Sequence, residues 1–163
     1  MRRALEVVGR LGAFQPAPAP APRPPPYPNA LRELERGIRR CVETRLGALD
    51  VDWWHQRVPL EIRRRAEHRK ASRERVWPWL EGGDPPVIEY LSFPDYAETM
   101  LEPRNWAEAF MSVFLDQDAL RVKLRELEVV RNDLFHARNL SPANGKRVEM
   151  YSEDLLAAIR RGM

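Results

Sequence analysis

The stretch RNDLFH, residues 131–136, sets an arginine, an asparagine and a histidine within six positions at the end of a leucine-bearing run, ALRVKLRELEVV. A histidine side chain ordinarily titrates near neutral pH, so it can take up or release a proton there. An arginine stays charged and presents a planar fork of donors that suits phosphate oxygens. Arg131 and His136, with Asn132 as a polar neighbour, therefore combine proton transfer with anion binding. A local alternative stands beside this. Basic side chains near a helix C-terminus interact with its last carbonyls and its dipole, and the three residues would then only cap and solvate a helix end.

A helix over residues 118–138 has to carry the stretch. At 100° per residue, Leu120, Leu124, Leu127 and Leu134 fall on one narrow arc, which should face a core. Arg131 falls near the centre of that arc, where an arginine is seldom left without a partner. Val122, Val129 and His136 line the opposite side, and a helix with two apolar stripes is commonly buried twice, by its own core and by a partner subunit. An ideal helix sets Arg131 and His136 about 140° apart, which is poor for two side chains acting on one phosphate. A helix end that unwinds near Phe135, or a site assembled across two chains, would relieve this.

The rest of the chain also reads as helical. Asn29 is placed to cap a helix whose apolar residues are Leu31, Leu34, Ile38, Cys41, Val42 and Leu46, with Gly47 as its stop. A polar helix follows over residues 60–77, and VIEYLSF is a connector without a visible partner strand. Ser92, Pro94 and Asp95 form the start of a helix with a capping box, ending near Leu101 before Pro103. Asn105 should cap the next helix, residues 105–114. The segment NLSPANGK reads as a loop, and a last helix is expected after Ser152, with Tyr151 stapled onto Leu156. The predicted fold class is all-α.

Residues 1–14 form an amphipathic segment with Leu5, Val8 and Leu11 at helical spacing, a tether or docking helix. Residues 15–28, QPAPAPAPRPPPYP, hold eight prolines and read as a semi-rigid polyproline spacer. The helical domain spans residues 29–163. No apolar run approaches the ~20 residues needed to span a bilayer, and Glu6 and Arg10 interrupt any signal-peptide core, so a cytoplasmic, non-membrane protein is expected. Cys41 lies on a helical apolar stripe and reads as core filler. His55, His68 and His136 are scattered and no HExxH or CxxC spacing occurs, so neither a metal site nor a cofactor is expected. Charge is uneven: residues 29–80 carry 13 Lys+Arg against 8 Asp+Glu, a net +5, and residues 81–163 carry 10 against 15, a net −5. Such a split suits a polyanion ligand or head-to-tail contacts between subunits.

RNDLFH, at the end of a long late helix and before a loop and a closing helix, resembles the Rx4-6H signature of the HEPN superfamily. The pattern LRELERGIRRCVETRLG, DWWHQRVP, YLSFPDYAETM, NWAEAFMSVF and VKLRELEVVRNDLFHARNLS is similar to the HEPN domains attached to a PIN-type endonuclease of nuclear mRNA surveillance, over about residues 29–160. The resemblance implies an antiparallel HEPN-like helical bundle, to which the N-terminal proline-rich arm read above is appended. It also implies a homodimer formed through the 118–138 helix, with Arg131 and His136 of both chains along one cleft and Asn132 beside them. The implied activity is metal-independent endoribonuclease cleavage of RNA, in the role of a toxin or defence effector, with a protein partner or antitoxin docking on the arm. A noncatalytic HEPN module binding RNA, a nucleotide or a protein partner is the alternative. In the first case the 2′-hydroxyl of RNA is the nucleophile, His136 is general base or acid, and Arg131 stabilises charge on phosphorus, leaving a 2′,3′-cyclic phosphate.

For RNA binding, the run RRRAEHRKASRER supplies Arg63, Arg64, Arg65, Arg69, Lys70 and Arg73 as a track for a phosphate backbone. Equally, it could be a solvated helix face balanced by Glu67 and Glu74. Trp53, Trp54, Trp77 and Trp79 could stack bases, but tryptophan buries so much area that helix-packing anchors are expected.

Overall fold

A computed structural model of the protein describes residues 27–76, 79, 83, 85–136 and 140–163. The amphipathic 1–14 segment, most of the proline-rich stretch and Trp77 lie outside these residues. Among the described residues every regular element is helical and no strand occurs, so the chain is all-α. The elements are α1 (Tyr27–Gly47), α2 (Trp53–Arg57), α3 (Leu60–Val76), a 3₁₀ turn (Val87–Tyr90), α4 (Phe93–Leu101), α5 (Pro103–Asn105), a π-helical turn (Trp106–Phe110), α6 (Met111–Phe114), α7 (Gln117–Phe135) and α8 (Pro142–Gly162). None of these helices is long and apolar enough to cross a membrane.

The apolar stripe of α1 does what its period demands. Leu31, Leu34, Ile38, Cys41, Val42 and Leu46 are all buried in one cluster, joined by Leu120, Leu124 and Leu127 of α7 and by Val148, Leu155 and Ile159 of α8. Burial in this apolar setting pushes the Cys41 thiol up to about 11, as fits core filler. Trp53 and Trp54 pack edge to face with ring centroids 5.8 Å apart, half-buried against the same core. Trp79 departs from the packing expectation and is exposed.

The α7–α8 pair forms an antiparallel hairpin, since residues early in one helix meet residues late in the other. Lys123 Nζ lies 2.8 Å from Asp154 Oδ2, and Arg147 of the first turns of α8 faces Glu126 of mid-α7 at 3.6 Å. The start of α8 is a correction to the sequence reading, which placed it after Ser152. Ser141 caps the helix by accepting the Asn144 N–H at 3.2 Å, and Pro142 is its first residue. Proline needs no intrahelical acceptor there, so Ser-Pro outweighs the turn signal of Asn144-Gly145. Tyr151 and Leu156 are thus both inside α8, half-buried against the core rather than paired across a helix start. The same physics extends α1 back to Tyr27 and Pro28, two residues ahead of the expected Asn29 cap.

Ser92 and Asp95 form the expected capping box of α4. Asn105, expected as a cap, instead is fully buried, and the side chain that caps α5 is Glu102, accepting the Asn105 N–H at 2.9 Å. The Asn105 amide donates to the carbonyls of Arg57 at 2.7 Å and Thr99 at 2.8 Å, tying α2 to the end of α4. The π-helical turn Trp106–Phe110 follows directly. Asn105→Ala should leave those two carbonyls buried and unpaired, and so destabilise the fold by about 2 kcal/mol. A denaturant titration measures this as a lowered midpoint at constant slope.

Candidate functional site

Helix α7 starts at Asp116, whose carboxylate accepts the N–H groups of Asp118 and Ala119, both at 2.9 Å. It ends where His136 takes the C-cap position, its N–H donating to the Asn132 carbonyl at 3.0 Å. Residues 137 and 138, which the sequence reading included in the helix, lie outside the described residues. Leu120, Leu124 and Leu127 are buried as the wheel requires, and Val122 and Val129 on the opposite arc are 49% and 59% exposed. His136, on that second arc, is exposed as well.

Arg131 sits on the core arc, yet its side chain is 42% exposed. At this height α7 runs beside the first turns of α1, and a long side chain can carry its charged head from there to water. Its guanidinium faces two carboxylates, Glu35 of α1 at 3.8 Å and Glu128 one turn back at 3.6 Å. These side chains are 24% and 17% exposed, so the sequence expectation that this arginine needs a partner is met twice over. Arg131 and Asn132 line a groove of about 570 Å³ between α7 and α1, together with Arg32, Glu35 and the apolar Pro28, Leu31 and Leu134. The groove thus joins two guanidiniums, a carboxylate and an amide to an apolar wall. The structure brings Arg131 and Asn132 together here, whereas His136 stands one turn further on at the helix end, on the other arc.

The basic run on α3 is arranged differently. Arg65, Arg69 and Arg73 recur every four residues on one face, and that face docks on the segment from the 3₁₀ turn to α4. Arg65 Nη2 lies 2.8 Å from Asp95 Oδ1 and 3.0 Å from Glu98 Oε2. Arg69 Nη1 lies 2.5 Å from Asp95 Oδ2 and donates to the Tyr90 carbonyl at 2.7 Å. Arg73 donates to the Tyr90 hydroxyl at 3.3 Å, and Arg63 to the Val58 carbonyl at 3.1 Å. Arg64 is exposed and pairs with Glu61 at 3.0 Å, and Lys70 is half-buried with an interaction of its own. These cations hold the fold together in part, and Arg64 is the most open of them to solvent.

Asp95 is the hub of that arrangement, and the sequence reading saw only its capping role. Its side chain is 2% exposed and accepts from the Ser92 N–H at 2.9 Å and the Ser92 hydroxyl at 2.7 Å as well as from both arginines. Burial pushes its carboxyl pKa up, but the Ser92 N–H and the Arg69 guanidinium outweigh it and hold the group below its ordinary range. Arg57 was also missed. It is buried, with Nε 2.5 Å from Asp50 Oδ2 and Nη1 2.6 Å from Glu108 Oε2, and no local spacing announces a partner 51 residues away such as Glu108. No group of three metal-ligating side chains occurs among the described residues. No protein-family model, curated protein or solved structure matches the chain, which leaves the residues of α1, α7 and their groove as the ground for a functional assignment.

Proposed function

We propose that the chain is a HEPN-like helical domain that acts as a metal-independent endoribonuclease in a two-fold homodimer, carried on a proline-rich arm that docks to a protein partner. The observation behind this reading is the end of α7, where Arg131 and Asn132 line a solvent-open groove and His136 is exposed at the C-cap. Those three residues bring the two capacities the chemistry needs to one helix end. The 2′-hydroxyl of the RNA attacks the adjacent phosphorus, His136 moves the proton, and Arg131 neutralises charge gathering on the phosphoryl oxygens. The 5′-oxygen leaves, and the products carry a 2′,3′-cyclic phosphate and a 5′-hydroxyl.

Pairing of two chains through the exposed Val122 and Val129 stripe would bring two copies of His136 toward one cleft, and it relieves the wide angle between Arg131 and His136 within a single helix. One observation favours the noncatalytic alternative: Arg131 already faces Glu35 and Glu128, so a phosphate must compete with two carboxylates for it. The deciding experiment is incubation of the full chain with mixed RNAs in excess chelator, followed by analysis of product ends. Cyclic phosphate termini with chelator present, and intact DNA, are expected. Chelator-sensitive cutting, or RNA left whole, removes the ribonuclease assignment.

A further inference from the structure

We propose that single-stranded RNA reaches the α1–α7 groove along the outer face of α1, over Arg32, Arg36 and Arg40. This rests on the ribonuclease reading of the groove, and it relocates the phosphate track from α3 to α1. The three arginines are exposed and spaced four residues apart, so they form a nearly straight row with steps of about 6 Å along the helix. Consecutive phosphates of an extended strand can follow such a row. None of the three makes an ion pair or hydrogen bond with another described residue, in contrast to Arg65, Arg69 and Arg73, which hold Asp95 and Tyr90.

The row is continuous with the site. Arg32, its first member, lines the groove beside Arg131 and Asn132, so a strand held on Arg36 and Arg40 is delivered to the end of α7. Within the groove, Pro28, Leu31 and Leu134 offer an apolar wall for a base, and the Asn132 amide offers both a donor and an acceptor to a base edge. Those features favour a nucleic acid strand over an acidic peptide. Glu33 is exposed beside Arg32, and Glu43 stands half-buried one turn beyond Arg40, so the positive surface is a single short file. A duplex, with two phosphate strands, fits that file less well than one strand.

The test is fluorescence anisotropy of a labelled single-stranded RNA 20-mer with the full chain across a salt series. Neutralising three phosphate contacts should flatten the slope of log K against log salt by about 2, because each contact on a single strand contributes about 0.7. The Arg32→Gln/Arg36→Gln/Arg40→Gln variant is therefore expected to bind at least tenfold more weakly at low salt, with that smaller slope. Its circular dichroism should match the parent, since all three side chains are exposed. Arg160→Gln, an exposed arginine near the end of α8, is expected to leave both quantities unchanged. Unaltered affinity and slope in the triple variant, absence of RNA binding by the parent, or equal binding of polyglutamate overturns the track. A parent that binds with this signature but cuts nothing sinks the cleavage reading and leaves the track standing. A parent that cuts while the triple variant binds normally does the reverse.

Discussion

His136→Ala is expected, on the ribonuclease reading proposed above, to slow RNA cleavage by about 10²–10⁴-fold, the usual contribution of a positioned general acid or base. Arg131→Ala should cost about 10²–10³-fold, because a cation aimed at developing phosphoryl charge acts in the same manner as a preorganised oxyanion donor. Neither loss should come from unfolding. His136 is exposed at the C-cap, and the Arg131 ion pairs at 3.6 and 3.8 Å are long and made by a side chain 42% exposed, so they contribute little to stability. Arg131→Lys keeps the charge but loses the planar fork, and should recover only part of the rate. Initial rates measured in chelator, beside thermal melts of each variant, separate chemistry from folding. Variants that fold and cut as fast as the parent would return RNDLFH to the role of a polar helix end.

Asp95→Ala should be the most damaging single change to stability outside the apolar core. It removes the acceptor for the Ser92 N–H and hydroxyl and for two guanidiniums at a position that is almost completely buried. Loss of the Asp95 half of the capping box costs about 1 kcal/mol, the net worth of a hydrogen bond, while the Ser92 hydroxyl still accepts the residue-95 N–H, and stranding buried donors costs about 1–3 kcal/mol more. Arg65 and Arg69 are 43% and 41% exposed, so their lost pairing is discounted, because water can replace the carboxylate. A total of about 2–4 kcal/mol corresponds to a fall in Tm of about 5–15 °C for a chain of this size. The effect should also depend on pH. The folded-state pKa of Asp95 is held below the ordinary 3.8, so its contribution is complete above that value and fades as pH falls below it. Melts of parent and variant at pH 7 and pH 3 should therefore converge on the acidic side. A gap that stays constant would mean that the carboxylate charge is not what stabilises the cap.

Much of the helical framework is legible from residues close together in the chain. The six apolar positions of α1 are buried as their period requires, and Ser92 with Asp95 makes the capping box that their spacing announces. Both signals act within a turn or two, where sequence distance and spatial distance agree. The errors at Ser141 and Asn105 were local too, but there two signals competed. Ser-Pro opens α8 although Asn-Gly follows it, and an asparagine that suits a cap is drawn into the interior to satisfy the carbonyls of Arg57 and Thr99.

The sequence by itself determined an all-helical chain, the apolar stripes that build its core, and a polar helix end carrying Arg131, Asn132 and His136. Only the tertiary structure decided which charges are spent and which remain open. Two runs of arginines at helical spacing look alike in one dimension, yet the run on α3 meets Asp95, Glu98 and Tyr90 across 17 to 33 residues of chain, while the row on α1 is exposed and pairs with no other described residue. The physical reason is that a cation's role depends on the carboxylates and carbonyls brought within a few ångströms of it, and helix packing sets those neighbours.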